Sequence, residues 1–277
     1  MRYISGIVPR IRTSIAYSRL AYSYEDRLSL ALVGLARYRD FSASDLLSRA
    51  MRKIVSHIEV RPRRLGGMRA VINLLDASEI DIFEEIVVNN AYDMSLVPFE
   101  PDYIIDCGGH IGLFTARAAA TFTGAKMIVF EPSPHNASVI RDLVRRNRIN
   151  ATINEEAVSD RNCMTTFYER NSCGGSIHTN GWEFKGTYPV HVVDLVSQLR
   201  VWSPSRLLLK MDIEGEEENL LPKLRSVLPK KCAIFFETHS GLRGWERVVN
   251  ALNDDCFEIH LLSSRDPFRD GFAIREF

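Results

Sequence analysis

From residue 102 onward the chain alternates short runs rich in β-branched residues with stretches of helical periodicity, and this alternation limits its folds more than any other feature. Strands read at 102–107, 126–131, 151–157, 206–212, 232–237, 256–262 and 271–276, and helices near 111–121, 134–148, 215–227 and 242–252. Runs as apolar as Ile128-Val129-Phe130 need cover on both sides, which crossover helices supply. The expectation is a doubly wound α/β sheet with helices on both faces, binding its ligand beyond the carboxyl ends of the strands where their order reverses. With 45% hydrophobic residues in 277, the chain can fill such a core. No apolar run reaches the roughly 18–20 residues of a membrane span, and no secretory pattern opens the chain, so a soluble cytoplasmic protein is expected. Its five cysteines show no zinc spacing and read as reduced thiols.

The front of the chain differs. Residues 1–70 hold thirteen arginines and one lysine against five acids, so a net charge of zero divides into +9 there and −9 beyond. Helices are expected at about 25–37 and again after the S-x-x-D start at Ser42-Ala43-Ser44-Asp45, where Leu47, Met51, Ile54 and Ile58 share one face and Arg49, Arg52 and Lys53 the other. Arg61-Pro62-Arg63-Arg64-Leu65-Gly66-Gly67 breaks that pattern, which places a basic, mostly helical extension at 1–65 and the main domain at 66–277. A strand at 69–75 and a short helix from Asp81 to Asn89 would lead into that domain.

The chemistry-bearing residues cluster at strand ends. Tyr103-Ile104-Ile105-Asp106 runs into the turn Cys107-Gly108-Gly109-His110-Ile111-Gly112, and a second strand, Ile128-Val129-Phe130-Glu131, closes with an acid nineteen residues past Gly112. Glycines let backbone amides approach a ligand at a helix start. An acid at the end of the second strand can accept both hydroxyls of a ribose. A nicotinamide enzyme shares this plan, but Cys107 spoils one G-x-G-x-x-G frame, His110 and Leu113 spoil the other, and Asp106 before the turn suits a cationic sulfonium better than a pyrophosphate.

Four ordered motifs then carry a resemblance. Ile105-Asp106-Cys107-Gly108-Gly109-His110-Ile111-Gly112-Leu113-Phe114, Phe130-Glu131-Pro132-Ser133-Pro134-His135-Asn136, Ala157-Val158-Ser159-Asp160 and Leu209-Lys210-Met211-Asp212-Ile213-Glu214-Gly215-Glu216-Glu217 together resemble the FkbM methyltransferases over about residues 80–262. The resemblance implies a Rossmann-like methyltransferase sheet and S-adenosyl-L-methionine as cofactor. Its methionine part would lie at Asp106, Gly108, His110 and Gly112, its ribose at Glu131, and its adenine beside Ser159 and Asp160. Gly109 and His110 stand where the family usually has alanine and asparagine, so a side-chain contact there would come from imidazole.

The transfer site would follow the fourth and fifth strands. Lys210-Met211-Asp212-Ile213-Glu214-Gly215 ends with two carboxylates that point the same way if the strand continues, while Glu214 could also cap the next helix. Ile234-Phe235-Phe236-Glu237-Thr238-His239 adds a carboxylate after an apolar run, and a buried carboxylate needs a task. Asp212, Glu237 and His239 are the catalytic candidates, binding an acceptor hydroxyl with Asp212 or His239 as base. Such ligands could also hold a divalent ion, but their spacing assigns no metal site.

The resemblance implies O-methylation of a small-molecule or sugar acceptor, and the polar, glycine-rich stretch 169–188, with His178, Trp182 and Tyr188, would line or cover that pocket. Two alternatives stand beside it. One is RNA ribose 2'-O-methylation, helped by the basic front and the Arg141, Arg145, Arg148 stripe; the other is a non-catalytic cofactor-binding module that holds an RNA or protein partner through residues 1–65.

Overall fold

In a computed structural model, the described residues are 12–36, 56–170, 174–179 and 183–276, and they fall into two compact units, residues 1–93 with 142–148 and residues 94–141 with 149–277. The expected basic helix over Leu47, Met51 and Ile54 lies outside the described residues. No helix among those described is long and apolar enough to cross a membrane.

The first unit contains helical residues 12–18 and helix α1 (Arg27–Ala36), within the span where the sequence predicts one. Gly34 lets the two approach, since a Cβ there would stand 3.0 Å from the Tyr17 ring. Strands β1 (His57–Val60) and β2 (Ala70–Asn73) pair antiparallel. Ile58 therefore belongs to a strand, which corrects its placement on the preceding helix. Arg61–Gly67 is the turn of that hairpin, closed by Gly66 in the left-handed region. Helix α2 (Ala77–Phe83) starts at Asp76, whose side chain accepts the Ser78 amide, and continues as a wider turn over Glu84–Val88.

The second unit is built on a seven-stranded sheet of order β12-β13-β11-β10-β3-β4-β5. Its members are β3 (Tyr103–Cys107), β4 (Lys126–Phe130), β5 (Ala151–Asn154), β10 (Arg206–Met211), β11 (Lys231–Thr238), β12 (Glu258–Arg265) and β13 (Phe268–Glu276). The five strands from β11 to β5 run parallel, β13 is antiparallel to β11, and β12 is antiparallel to β13. From β3 the chain steps to β4 and β5 on one side and later to β10 and β11 on the other, so the order reverses between β3 and β10. Helix α3 (Leu113–Thr121) covers the face of Ile104 and Phe235, where Phe114 meets Phe235 edge-on. Helices α5 (Leu195–Trp202), α6 (Glu217–Leu224) and α7 (Gly241–Asn253) cover the other, over a core of Ile105, Leu207, Leu209, Met211, Ile234 and Phe236. Helix α4 (Pro134–Asn147) follows β4.

One expected strand divides. Residues 151–157 break at Glu155 and Glu156, leaving β5 in the large sheet and starting β6 (Ala157–Ser159) in another. That second sheet, ordered β6-β9-β7-β8, includes β7 (Cys163–Glu169), β8 (Gly175–Ser176) and β9 (Gly186–Asp194), around Ala157, Phe167, Val190 and Val192. The stretch 169–188 is thus partly strand, with Cys173 and Trp182 outside the described residues. Four described cysteines are free thiols: Cys107 and Cys232 buried, Cys163 half-buried, Cys256 exposed.

Candidate active site

Two strand ends meet where the sheet order reverses. Lys210 of β10 stands opposite Asp106 of β3, and strand alternation turns both toward the α3 face. Thr115 of α3 donates to Asp106 Oδ2 at 2.6 Å, and Lys210 Nζ lies 3.7 Å from Oδ1 and 3.5 Å from Asp212 Oδ2. Burial pushes the Asp106 carboxyl up in pKa, partly offset by Lys210. The Lys210 ammonium stays charged although buried, because Asp212 and Asp106 outweigh its desolvation. It also donates to the carbonyls of Gly108, at 2.6 Å, and Cys107, at 3.3 Å. Asp106 is buried beneath the turn, and Lys210 ties that turn to β10.

The turn itself requires its glycines. Gly108 has φ +82°, and a Cβ there would come 1.9 Å from the Asp212 carbonyl oxygen. At Gly109 a Cβ would press on Val129 at 2.5 Å and Ile140 at 2.8 Å, which explains glycine there. His110 adopts φ 50°, and Gly112, with φ 84°, begins α3.

Glu131 follows β4 and is buried. Its Oε2 accepts the His110 amide at 2.8 Å and its Oε1 the Ser133 amide at 2.9 Å, and the Asn136 side chain also hydrogen-bonds the carboxylate. Burial pushes its pKa up to about 7 against these hydrogen bonds. Ser133 Oγ donates to Glu169 of β7 at 3.3 Å, and Tyr188 of β9 lies close enough to feel both carboxylates, its own pKa pushed up by burial to about 12.

The segment after β10 gathers the transfer-site candidates. Strand pairing stops at Met211, so Asp212 and Glu214 converge not by strand alternation but because Glu214 takes φ 59° and Gly215 φ 110°. Both face His239, which follows β11: its Nε2 lies 3.8 Å from Asp212 Oδ1 and 3.7 Å from Glu214 Oε2. Its Nδ1 lies 3.4 Å from Glu217 Oε2, an ion-pair distance rather than a well-formed hydrogen bond. These acids hold the imidazolium well above its ordinary pKa, outweighing desolvation. Asp212 is held low by Lys210 and then His239 despite burial, whereas burial lifts Glu214 to about 7. The buried Glu217 accepts the amides of Ile213 and Gly215, taking the capping part considered for Glu214.

Asp212 and His239 thus come together, with Glu214 and Glu217 as the other acids on the imidazole. Glu237 stands half-buried on β11, opposite Asp270 of β13. Ser159 is buried and donates to Glu216 at 2.5 Å, and Asp160 pairs with Lys223 and Arg161, so both are tied to the start of α6 or to surface cations. His178 meets Glu216 at 2.7 Å, and Ser176 donates to the Glu214 carbonyl at 2.8 Å, joining the β8 region to the acidic segment. Sequence reasoning passed over Lys210, Thr115 and Glu217. Only Lys210 gave a signal, a cation inside the apolar run Leu207-Leu208-Leu209-Lys210-Met211.

Residues 106–261, more than half of the chain, match the methyltransferase FkbM domain. The chain belongs to the FkbM methyltransferase family. The methyltransferase sdnD of Sordaria araneosa is 36% identical over 66 residues, which span 24% of this chain and 24% of that protein. Among solved structures, the methyltransferase FkbM of Methylobacillus flagellatus KT is 15% identical with a TM-score of 0.45, over 97% of this chain and 60% of that one. M. jannaschii TYW2, in complex with AdoMet, is 11% identical with a TM-score of 0.47, over 79% of this chain and 87% of that one. The family assignment rests on the domain match, and these distant likenesses add nothing to the argument about the site.

Proposed function

We propose that this FkbM protein is an S-adenosyl-L-methionine-dependent methyltransferase that methylates a hydroxyl of a small molecule or sugar. The carrying observation is Glu131, buried beside the Gly108–Gly112 turn, its carboxylate fixed by the His110 and Ser133 amides at the end of the second strand, where such folds accept a ribose. The donor set fits this cofactor. Asp106, Glu131, Asp212, Glu214 and Glu217 outnumber Lys210 and His239, a balance that favours a sulfonium cation and opposes the two phosphates of a dinucleotide.

When bound, the cofactor supplies an activated methyl group. Gly108, His110 and Gly112 offer backbone to its methionine part, Glu131 holds the ribose, and Ser159 and Asp160 are assigned to the adenine side. Asp106 acts through Thr115 and Lys210, which keep the turn in shape. Asp212 accepts a hydrogen bond from the acceptor hydroxyl. The imidazolium of His239 carries a proton at neutral pH, so it orients Asp212 and Glu214 while an ionised carboxylate takes the hydroxyl proton. Glu237, at the end of β11, is assigned to the acceptor's far side. Because the methyl donor is already activated, most of the rate comes from alignment, worth about 7–11 kcal/mol, with base assistance adding about 10² to 10⁴ in rate.

S-adenosylhomocysteine at a hundredfold excess over its dissociation constant should stabilise the chain by about 2.7 kcal/mol, NAD should not, and Glu131→Ala should abolish the shift. Stabilisation by NAD alone would refute the reading. The +9 charge of residues 1–70 keeps RNA as a second acceptor class: deleting residues 1–60 should then cost salt-dependent RNA affinity, and no RNA binding at low salt would remove it.

A further inference from the structure

We propose that β12 is the docking edge for a second copy of this chain, which pairs antiparallel along it and joins two large sheets into one. β12 is the outermost strand of the seven, and no strand among the described residues pairs with its free side. Its eight residues, Glu258–Arg265, present a row of amide and carbonyl groups there, with neither lysine nor proline to blunt it. Two leucines stand at its centre, Leu261 at 53% and Leu262 at 42% exposure. Its one guard is a bulge between Leu261 and Ser263, which bends the middle of the strand and leaves regular pairing with β13 on either side.

The order of residues along β12 says what covers it. A two-fold axis between Leu261 and Leu262 sets Leu261 against Leu262 of the second copy, His260 against Ser263, Ile259 against Ser264 and Glu258 against Arg265. The strand is complementary to itself. Opposite charges and apolar pairs facing each other across two strands are what stabilise antiparallel pairing. The Glu258 and Arg265 side chains are 74% and 68% exposed, and within the chain they meet only His260 at 3.1 Å and Asp270 at 3.9 Å, so either charge can turn to the second copy at little cost. The bulge falls on the axis, which leaves the two charge-bearing arms extended. Apolar surface continues beyond the strand at Leu242, 56% exposed at the start of α7, where the Gly241 amide donates to the Pro267 carbonyl of the β12–β13 turn at 3.0 Å. A joint of one strand pair is small, so a dissociation constant on the order of 10 μM is expected.

This joint does not depend on the methyltransferase reading. Sedimentation equilibrium of the full chain from about 1 to about 100 μM should show a monomer–dimer equilibrium. Leu262→Lys brings two ammonium groups to the axis, and Glu258→Arg or Arg265→Glu sets like charges against each other at both ends, so each should raise the dissociation constant about tenfold or more. The double exchange Glu258→Arg with Arg265→Glu restores opposite charges and should restore the dimer. All three side chains are exposed, so the variants are expected to keep the fold, and recovery in the double exchange excludes misfolding as the cause of the single losses. A monomer at every concentration, a dimer indifferent to Leu262→Lys, or a double exchange no better than its single members overturns the proposal.

Discussion

Lys210 carries more of the site's architecture than any other residue. It is enclosed between Asp106 and Asp212 and donates to two carbonyls of the turn, so replacing it leaves the buried Asp106 and the half-buried Asp212 without their cation. Lys210→Met should destabilise the chain by about 3–5 kcal/mol in urea denaturation, and a loss under about 1 kcal/mol would contradict the burial argument. Glu131 gives a pH dependence at the same scale. Its folded pKa of about 7 means that the acid form dominates at pH 6 and the carboxylate at pH 8. Ribose hydroxyls donate, so they need the carboxylate. Affinity for S-adenosylhomocysteine should therefore rise about tenfold from pH 6 to pH 8 and become flat in Glu131→Gln, as calorimetric titration would show.

Among the elements, the β3–α3 turn tolerates least. Gly108→Ala would place a methyl 1.9 Å from the Asp212 carbonyl at a left-handed φ, forcing β3 and the segment after β10 apart. Loss of the stabilisation by S-adenosylhomocysteine is expected, read by thermal denaturation. Gly124→Ala, where a Cβ meets nothing within 4 Å, should retain it. Equal behaviour of the two variants would show that the turn is not tightly constrained. The segment Asp212–Glu217 is the counterpart on β10. Its two positive-φ residues and the Glu217 cap gather acids that strand geometry alone would not bring to His239.

At the scale of the molecule, charge burial sets how stability follows pH. Glu79, Glu131 and Glu214 have folded pKa values of about 7, above the unfolded 4.5, so folding favours their acid forms. Their contribution is complete below about pH 4.5 and disappears as pH rises through 7. The raised pKa of His239 acts in the same sense, contributing fully below 6.5 and fading only above its folded value. Asp160, Asp212 and Glu216 are lowered, so their contribution is lost in acid. Unfolding free energy in the absence of ligand should peak near pH 5 and fall toward pH 8 by on the order of a few kcal/mol, as denaturant titration across that range would show. A rise over that interval would count against these assignments.

All seven strands of the large sheet were legible as sequence, most clearly β3, β4, β10 and β11, because strands buried on both faces are written as apolar runs. The carboxylates of Asp106, Glu131 and Asp212 were legible for the same reason, as charges that end such runs. The second sheet was not. Cys163–Glu169 pairs polar with apolar residues without a clean period of two, and Pro189 interrupts Gly186–Asp194, so neither announces itself as a strand until they pair. Tertiary structure alone decided what the site residues touch. Register set Lys210 against Asp106, left-handed backbone at Glu214 and Gly215 turned two carboxylates onto one imidazole, and Glu217 reached back from α6 to hold them. Pairing across strands and backbone handedness depend on neighbours far along the chain, and no local pattern of residue types encodes them.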